Sequence, residues 1–211
     1  MGAHSFFLTL LGFLLVAIVG LWIYVLAFAD RRIARKITPV LENFAERHNG
    51  TIMWKKRFDP FPTVHFSFGA QDIVLDFAYA SHPQLQVANL FYSTVLTLSP
   101  CGEVDILLDI YRELPFFRTL VRKHREVVVG GPFSTTDFVI ECNRAEWAYR
   151  TLSSEVPKRL IALADYQPYL RMRNGTVQLI LACVFSESWE YDLLMDAVVS
   201  IARGLSSPLS T

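Results

Sequence analysis

Three regularly spaced carboxylates are the first residues in this sequence that could do chemistry. Asp105, Asp109 and Glu113 lie four residues apart, so they share one face of a helix or, equally, one side of a strand. Carboxylates in a cleft can act as general acid and base when the cleft shifts their pKa values. In either element the simpler interpretation is a solvated acidic edge, and that is what we expect here.

The histidines and cysteines show no spacing that is typical of a metal site. The three cysteines are odd in number and far apart, which indicates free thiols in a reducing compartment rather than a disulfide framework. His65 alternates with the apolar residues of a predicted strand, so we expect it to face solvent or a partner. The residues concerned are His4, His48, His65, His82 and His124, with Cys101, Cys142 and Cys183.

The remaining polar motifs do not form a catalytic constellation. Gly130 and Gly131 could line a phosphate-binding loop, but Pro132 lacks an amide donor and no complete phosphate-loop motif is present. The hydroxyls of residues 134–136 lack a nucleophile elbow and an oriented histidine. The net charge of zero argues against a dedicated nucleic-acid binder. We therefore expect a protein that is not an enzyme and that has no cofactor, no metal and no nucleic-acid partner.

The N-terminal segment is apolar and predicts a membrane anchor. Residues 6–28 are 23 consecutive residues without a charge, and a helix of that length spans roughly 35 Å, enough for a hydrocarbon core of about 30 Å. A small-x-small step at residues 27–29 resembles a signal-peptidase site, but the uncharged start and the long apolar run favour a retained transmembrane helix in contact with the lipid bilayer. The basic residues that follow, Arg31, Arg32, Arg35 and Lys36, place the N-terminus outside and the rest in the cytoplasm by the positive-inside rule.

Two groups of residues are predicted to contact a partner. Small residues in the anchor allow close helix packing, and two aromatic residues lie near its cytoplasmic end. Farther along, an amphipathic helix near residues 114–125 presents basic and aromatic side chains to anionic headgroups or an acidic partner, unless its charges are merely solvated. The packing residues are Gly12, Ala17, Gly20, Trp22 and Tyr24, and the surface residues are Phe116, Phe117, Arg118, Arg122, Lys123 and Arg125.

The rest of the chain alternates between strand and helix patterns, with strands predominating. Asn174-Gly175 predicts a type I′ hairpin turn, Asn143 with Glu146 predicts a capping box, and residues 189–203 predict a closing helix. These patterns predict an α+β fold, with an N-terminal single transmembrane helix followed by one mostly antiparallel domain. The predicted boundaries are an anchor over 1–30, a basic segment and stalk helix over 31–50, the cytoplasmic domain over 51–205 and a tail over 206–211.

From residue 105 to residue 204 the order of elements resembles a loose group of uncharacterised, membrane-anchored bacterial proteins. The shared features are a strand, an amphipathic helix, a glycine break, a strand of the form Asp-Phe-x-Val/Ile with an Asn-capped helix, a hairpin and a closing helix. The resemblance implies one membrane helix and an α+β domain, located in the bacterial inner membrane, and it assigns no functional residue.

These observations together predict a non-enzymatic accessory or scaffolding subunit. Its partners would be other membrane-protein subunits of a hetero-complex, such as a photosynthetic, respiratory or secretion assembly. Two alternatives from other classes remain open, a membrane-tethered enzyme and a ligand-binding module with an unrecognised site.

Overall fold

A computed structural model describes residues 3–55, 59–79, 92–101, 104–112, 126–128, 133, 137–152 and 155–206. The chain forms four α-helices and eight β-strands within these ranges. The predicted partner surface from Phe116 to Arg125 lies outside the described residues, as do Glu113, His82, His124, residues 130–132 and residues 134–136.

The first helix, α1, spans Ala3–Arg47 without interruption and has two unlike halves. In its second half, Ala34, Ile37, Leu41 and Phe44 are buried, and their spacing of three or four residues places them on one face of the helix. Pro39 lies inside this half, where it cannot donate the usual backbone hydrogen bond. The helix is therefore amphipathic where it packs on the domain.

The first half of α1 does not fulfil the prediction of a membrane anchor. No helix in the described part of the chain combines the length and the apolarity that crossing a membrane requires. The predicted transmembrane helix and the single-pass description are therefore wrong. The positive-inside rule applies to the ends of a membrane-spanning helix. The orientation deduced from Arg31, Arg32, Arg35 and Lys36 therefore has no support either.

One antiparallel sheet contains all eight described strands. The α+β class and the antiparallel pairing are thus confirmed. The strands are β1 Thr51–Met53, β2 Thr63–Phe68, β3 Gln71–Tyr79, β4 Tyr92–Ser99, β5 Leu108–Arg112, β6 Phe138–Cys142, β7 Tyr169–Arg173 and β8 Thr176–Leu181. Their order across the sheet is β1-β2-β3-β4-β8-β7-β5-β6. The other helices are α2 Ala145–Thr151, α3 Glu155–Ala162 and α4 Ser188–Ser206.

The two faces of the sheet differ because side chains alternate along each strand. One face holds the main core: residues such as Leu75, Ile110 and Leu179 are buried there with the second half of α1 and with α4. The other face carries a smaller buried cluster that includes Tyr111 and Tyr169. The helices thus cover one side of the sheet, and Tyr111 and Tyr169 lie on the other.

Two local predictions have opposite outcomes. Asn174 and Gly175 have φ values of 50° and 68° and join β7 to β8, as the hairpin prediction requires. The capping box is wrong: Arg144 occupies the N-cap of α2 and makes no side-chain cap. The Asn143 side chain instead accepts from the Leu107 amide at 2.9 Å and donates to the Asp105 carbonyl at 2.8 Å. Asn143 therefore ties the start of β5 to the end of β6.

Candidate functional site

The first half of α1 exposes apolar side chains around its circumference. A soluble helix normally buries such residues, and a large exposed apolar patch marks an interaction site. We define the apolar surface of α1 as the exposed large side chains of Leu10, Leu11, Phe13, Leu14, Leu15, Val16, Ile18, Val19, Leu21, Trp22, Ile23, Tyr24 and Phe28.

The predicted packing residues belong to this surface. Gly12, Ala17 and Gly20 are exposed, and a Cβ atom added at either glycine would meet no atom of the chain within 4 Å. Trp22 and Tyr24 are 57% and 67% exposed. The small residues therefore have no packing role within this part of the chain, which leaves them available to a partner.

A cleft of about 520 Å³ lies where the apolar surface meets the domain. Asp30, Arg31 and Arg35 of α1 line one side of it, and Trp54, which follows β1, and Tyr92, the first residue of β4, line the other. A smaller cleft of about 260 Å³ shares Asp30 and Tyr92 with it. The two clefts together form a partly apolar depression at the base of the apolar surface.

The charged residues of this cleft differ in their partners. Burial raises the pKa of the Asp30 carboxyl, while a hydrogen bond with Tyr92 acts in the opposite direction. Arg31 and Arg35 are exposed, and within the described ranges neither has an ion-pair or hydrogen-bond partner. Two guanidinium groups are therefore available at the edge of the cleft. Arg32 and Lys36 are exposed on α1 but do not line it.

On the polar face of the sheet, two carboxylates occupy paired positions. Asp109 of β5 lies opposite Glu141 of β6, and both are buried, at 5% and 1% exposure. Like charges that face each other across two strands repel, so each needs compensation. The Tyr111 hydroxyl donates to Glu141 at 2.8 Å, and the Tyr169 hydroxyl donates to Asp109 at 2.5 Å.

Two arginines of β7 complete the compensation of Asp109. Arg173 forms an ion pair with one of its carboxylate oxygens, and the Arg171 Nε atom lies 3.6 Å from the other. Burial, followed by the hydrogen bond to Asp109, raises the pKa of Tyr169, so this hydroxyl stays protonated and donates. The acidic edge that the sequence predicted is wrong at Asp109, which is buried, whereas Asp105 is exposed and pairs with Arg144.

Asp109 and Glu141, with the tyrosines and arginines that bind them, form a polar centre that links β5 to β6 and β7. The Asp109 carboxylate is already occupied by a hydroxyl and two guanidinium groups, and no histidine lies among its described partners. Across the described ranges, no group of three or more His, Cys, Asp or Glu residues is placed to hold a metal ion. The spacing of Asp105 and Asp109 could not reveal the centre, because the compensating residues come from strands that are distant in sequence.

An ion-pair cluster joins the end of α1 to α4. Asp192 accepts from Arg47 at 2.6 Å and lies 2.7 Å from the His48 Nε2 atom. Burial alone would raise the pKa of Asp192, but the hydrogen bonds with His48 and Arg47 outweigh it and hold this pKa below its usual range. The His48 ring also packs against Phe44 with a centroid distance of 4.8 Å. The cluster therefore fixes the last turn of α1 on the domain.

Comparison with known proteins identifies a fold relative. Neither a model of a known protein family nor a curated protein matches this chain. A crystal structure of the mycobacterial trehalose monomycolate transport factor A, TtfA, superposes with a TM-score of 0.52 at 12% sequence identity. The match covers 81% of this chain and 96% of that one. The likeness is one of fold.

Proposed function

We propose that this protein is a non-enzymatic accessory subunit of a membrane-associated protein assembly. The observation that carries the proposal is the apolar surface of α1, which projects from a domain that is otherwise conventionally packed. Apolar side chains on all sides of a helix are unfavourable in water, and their burial against apolar neighbours lowers the free energy. Within the described part of the chain no other element covers these side chains, and we assign the role of covering them to another molecule.

The contrast between the two halves of α1 supports a docking role. The second half packs on the domain through Leu41 and Phe44 and is fastened by Asp192. A helix that is fixed at one end holds its other end in a defined position, so less conformational entropy is lost when a partner binds there. TtfA is named a transport factor, and a supporting factor within a larger process is the kind of role proposed here.

The enzyme alternative has less support. An enzyme needs acid and base groups that open into a cleft. Asp109 and Glu141 are the buried carboxylates of the described chain, and their hydrogen bonds tie them to tyrosines of the same sheet. Asp30 does open into a cleft, and burial raises its pKa, but no histidine or cysteine is among the described residues that line this larger cleft. A binding function therefore has more support than a catalytic one.

The test is co-purification of the tagged full chain with its partners from native membranes in mild detergent. Replacing Gly12 and Gly20 together with Leu should reduce recovery of partner subunits by at least about tenfold, because close helix packing depends on small residues. The chain itself should be unaffected, since both positions adjoin open space. Glu42→Leu with Glu46→Leu places two leucines at exposed positions of the same helix outside the apolar surface and serves as the control. Undiminished recovery of the Gly12 and Gly20 variant would contradict a docking role for α1.

A further inference from the structure

We propose that the cleft at the base of the apolar surface binds the phosphate-bearing headgroup of an amphiphile, with Arg31 and Arg35 as phosphate ligands. This site concerns a small molecule and does not rest on the proposed docking of a partner protein. Its volume of about 520 Å³ lies within the range of about 300–1,000 Å³ that is typical of ligand pockets.

The two arginines are arranged to contact one phosphate. Arg31 and Arg35 are four residues apart on α1, so their side chains are neighbours on the same face of the helix, and both line the cleft. A guanidinium group presents donors in a planar fork that matches phosphate oxygens in pairs. Because neither has a partner within the described ranges, a phosphate would not need to displace an existing ion pair.

The carboxylates of the cleft must also be weighed. Asp30 and Asp59 line it together with the arginines, so its lining is not uniformly basic. Asp30 is engaged by Tyr92, whereas Asp59 is exposed to solvent and its charge is therefore screened. The two guanidinium groups thus remain the groups that a phosphate can reach without competition from Asp30.

The surroundings favour a phosphate with an apolar tail over a free phosphate. The adjoining smaller cleft is lined by Ile33, Phe61 and Val184, which offer apolar contacts beyond the arginines. Trp54 is 61% exposed at the larger cleft, and an indole ring suits a boundary between apolar and polar surroundings. The apolar surface of α1 ends near the same place, at Phe28. A headgroup in the cleft would leave its chains beside these apolar groups.

Native mass spectrometry of the full chain, released from neutral maltoside micelles, tests the site directly. Phosphatidylglycerol, diacylglycerol and glycerol 3-phosphate are added one at a time, so that the phosphate and the acyl chains are tested separately and together. We expect a saturable adduct of one phosphatidylglycerol per chain. Diacylglycerol and glycerol 3-phosphate should bind at least about tenfold more weakly.

Two matched double variants distinguish the cleft from general attraction by positive charge. Arg31→Gln with Arg35→Gln should weaken phosphatidylglycerol binding by about tenfold or more, since hydrogen bonds to charged groups are strong. Arg32→Gln with Lys36→Gln removes the same charge from adjacent exposed positions and should change binding less than about threefold. Equal losses in both variants, or no saturable adduct, would overturn the site. Equal binding of glycerol 3-phosphate would overturn the amphiphile as its ligand.

Discussion

Replacing Asp109 with Ala should destabilise the domain far more than the same change at Asp105. The Asp109 side chain is 7% exposed, and its partners Arg171 and Arg173 are 35% and 27% exposed. Breaking a buried ion pair costs about 3–5 kcal/mol because a charge is left without compensation, and the Tyr169 hydroxyl loses its acceptor as well. Partial solvation of the two arginines recovers some of this energy, so we expect a loss of about 3 kcal/mol.

The control is Asp105→Ala in the same segment of chain. Its side chain is 59% exposed and pairs with Arg144 at the surface, an interaction worth about 0–1 kcal/mol. For a chain of this size, about 1 kcal/mol corresponds to roughly 2–4 °C in Tm. Asp109→Ala should therefore lower Tm by about 6–12 °C, and Asp105→Ala by less than about 4 °C.

Thermal unfolding of the full chain in mild detergent, followed by circular dichroism, measures both shifts. Asp109→Asn serves as a second variant, because it keeps an acceptor for Tyr169 while removing the charge, and its loss should be intermediate. If Asp109→Ala and Asp105→Ala lower Tm by the same amount, the polar centre does not stabilise the sheet as argued.

Three further predictions concern other parts of the molecule. Asp192→Asn should lower the free energy of unfolding by about 1 kcal/mol at pH 7. Because the folded pKa of Asp192 is lowered, the difference between the two chains should be complete above about pH 4 and should shrink as the pH falls further. Urea titrations of both chains at pH 7 and pH 3 measure this change. Burial, with Glu190 nearby, raises the pKa of Cys183 to about 12, so its thiol should react with iodoacetamide at pH 8 much more slowly in the folded chain than in urea, and equal rates would refute this. Gly50→Ala should lower stability by about 1–3 kcal/mol because the new Cβ would lie 2.5 Å from the buried Phe66 ring; an unchanged urea midpoint would contradict that contact.

The features that the sequence predicted correctly depend on neighbouring residues. The Asn174-Gly175 turn requires two consecutive positive φ values, and these residue types supply them locally. The closing helix needs only the apolar stripe that includes Leu194 and Ile201, both of which are buried. Such features are visible in a short window of sequence.

The features that were missed depend on register between distant strands. Asp109 becomes buried and paired only because β7 brings Arg171 opposite it, and nothing in the spacing of the carboxylates indicates that partner. The cleft likewise forms only where Tyr92 lies beside α1, which the sequence does not show. The sequence does identify Arg31 and Arg35, because their charges follow the apolar segment. The sequence predicts that the Asn143 side chain binds backbone groups, but tertiary structure determines that it binds the Leu107 amide and does not cap α2.

The docking role of α1 is tested most directly by photo-cross-linking in native membranes. A photoreactive residue is placed at Leu14 or Leu21 on the apolar surface, or at Val104, which is 68% exposed in a different part of the chain. We predict a discrete adduct with one partner protein from positions 14 and 21 and none from position 104. The absence of a protein adduct at both positions on α1, or the same adducts from all three, would contradict the account.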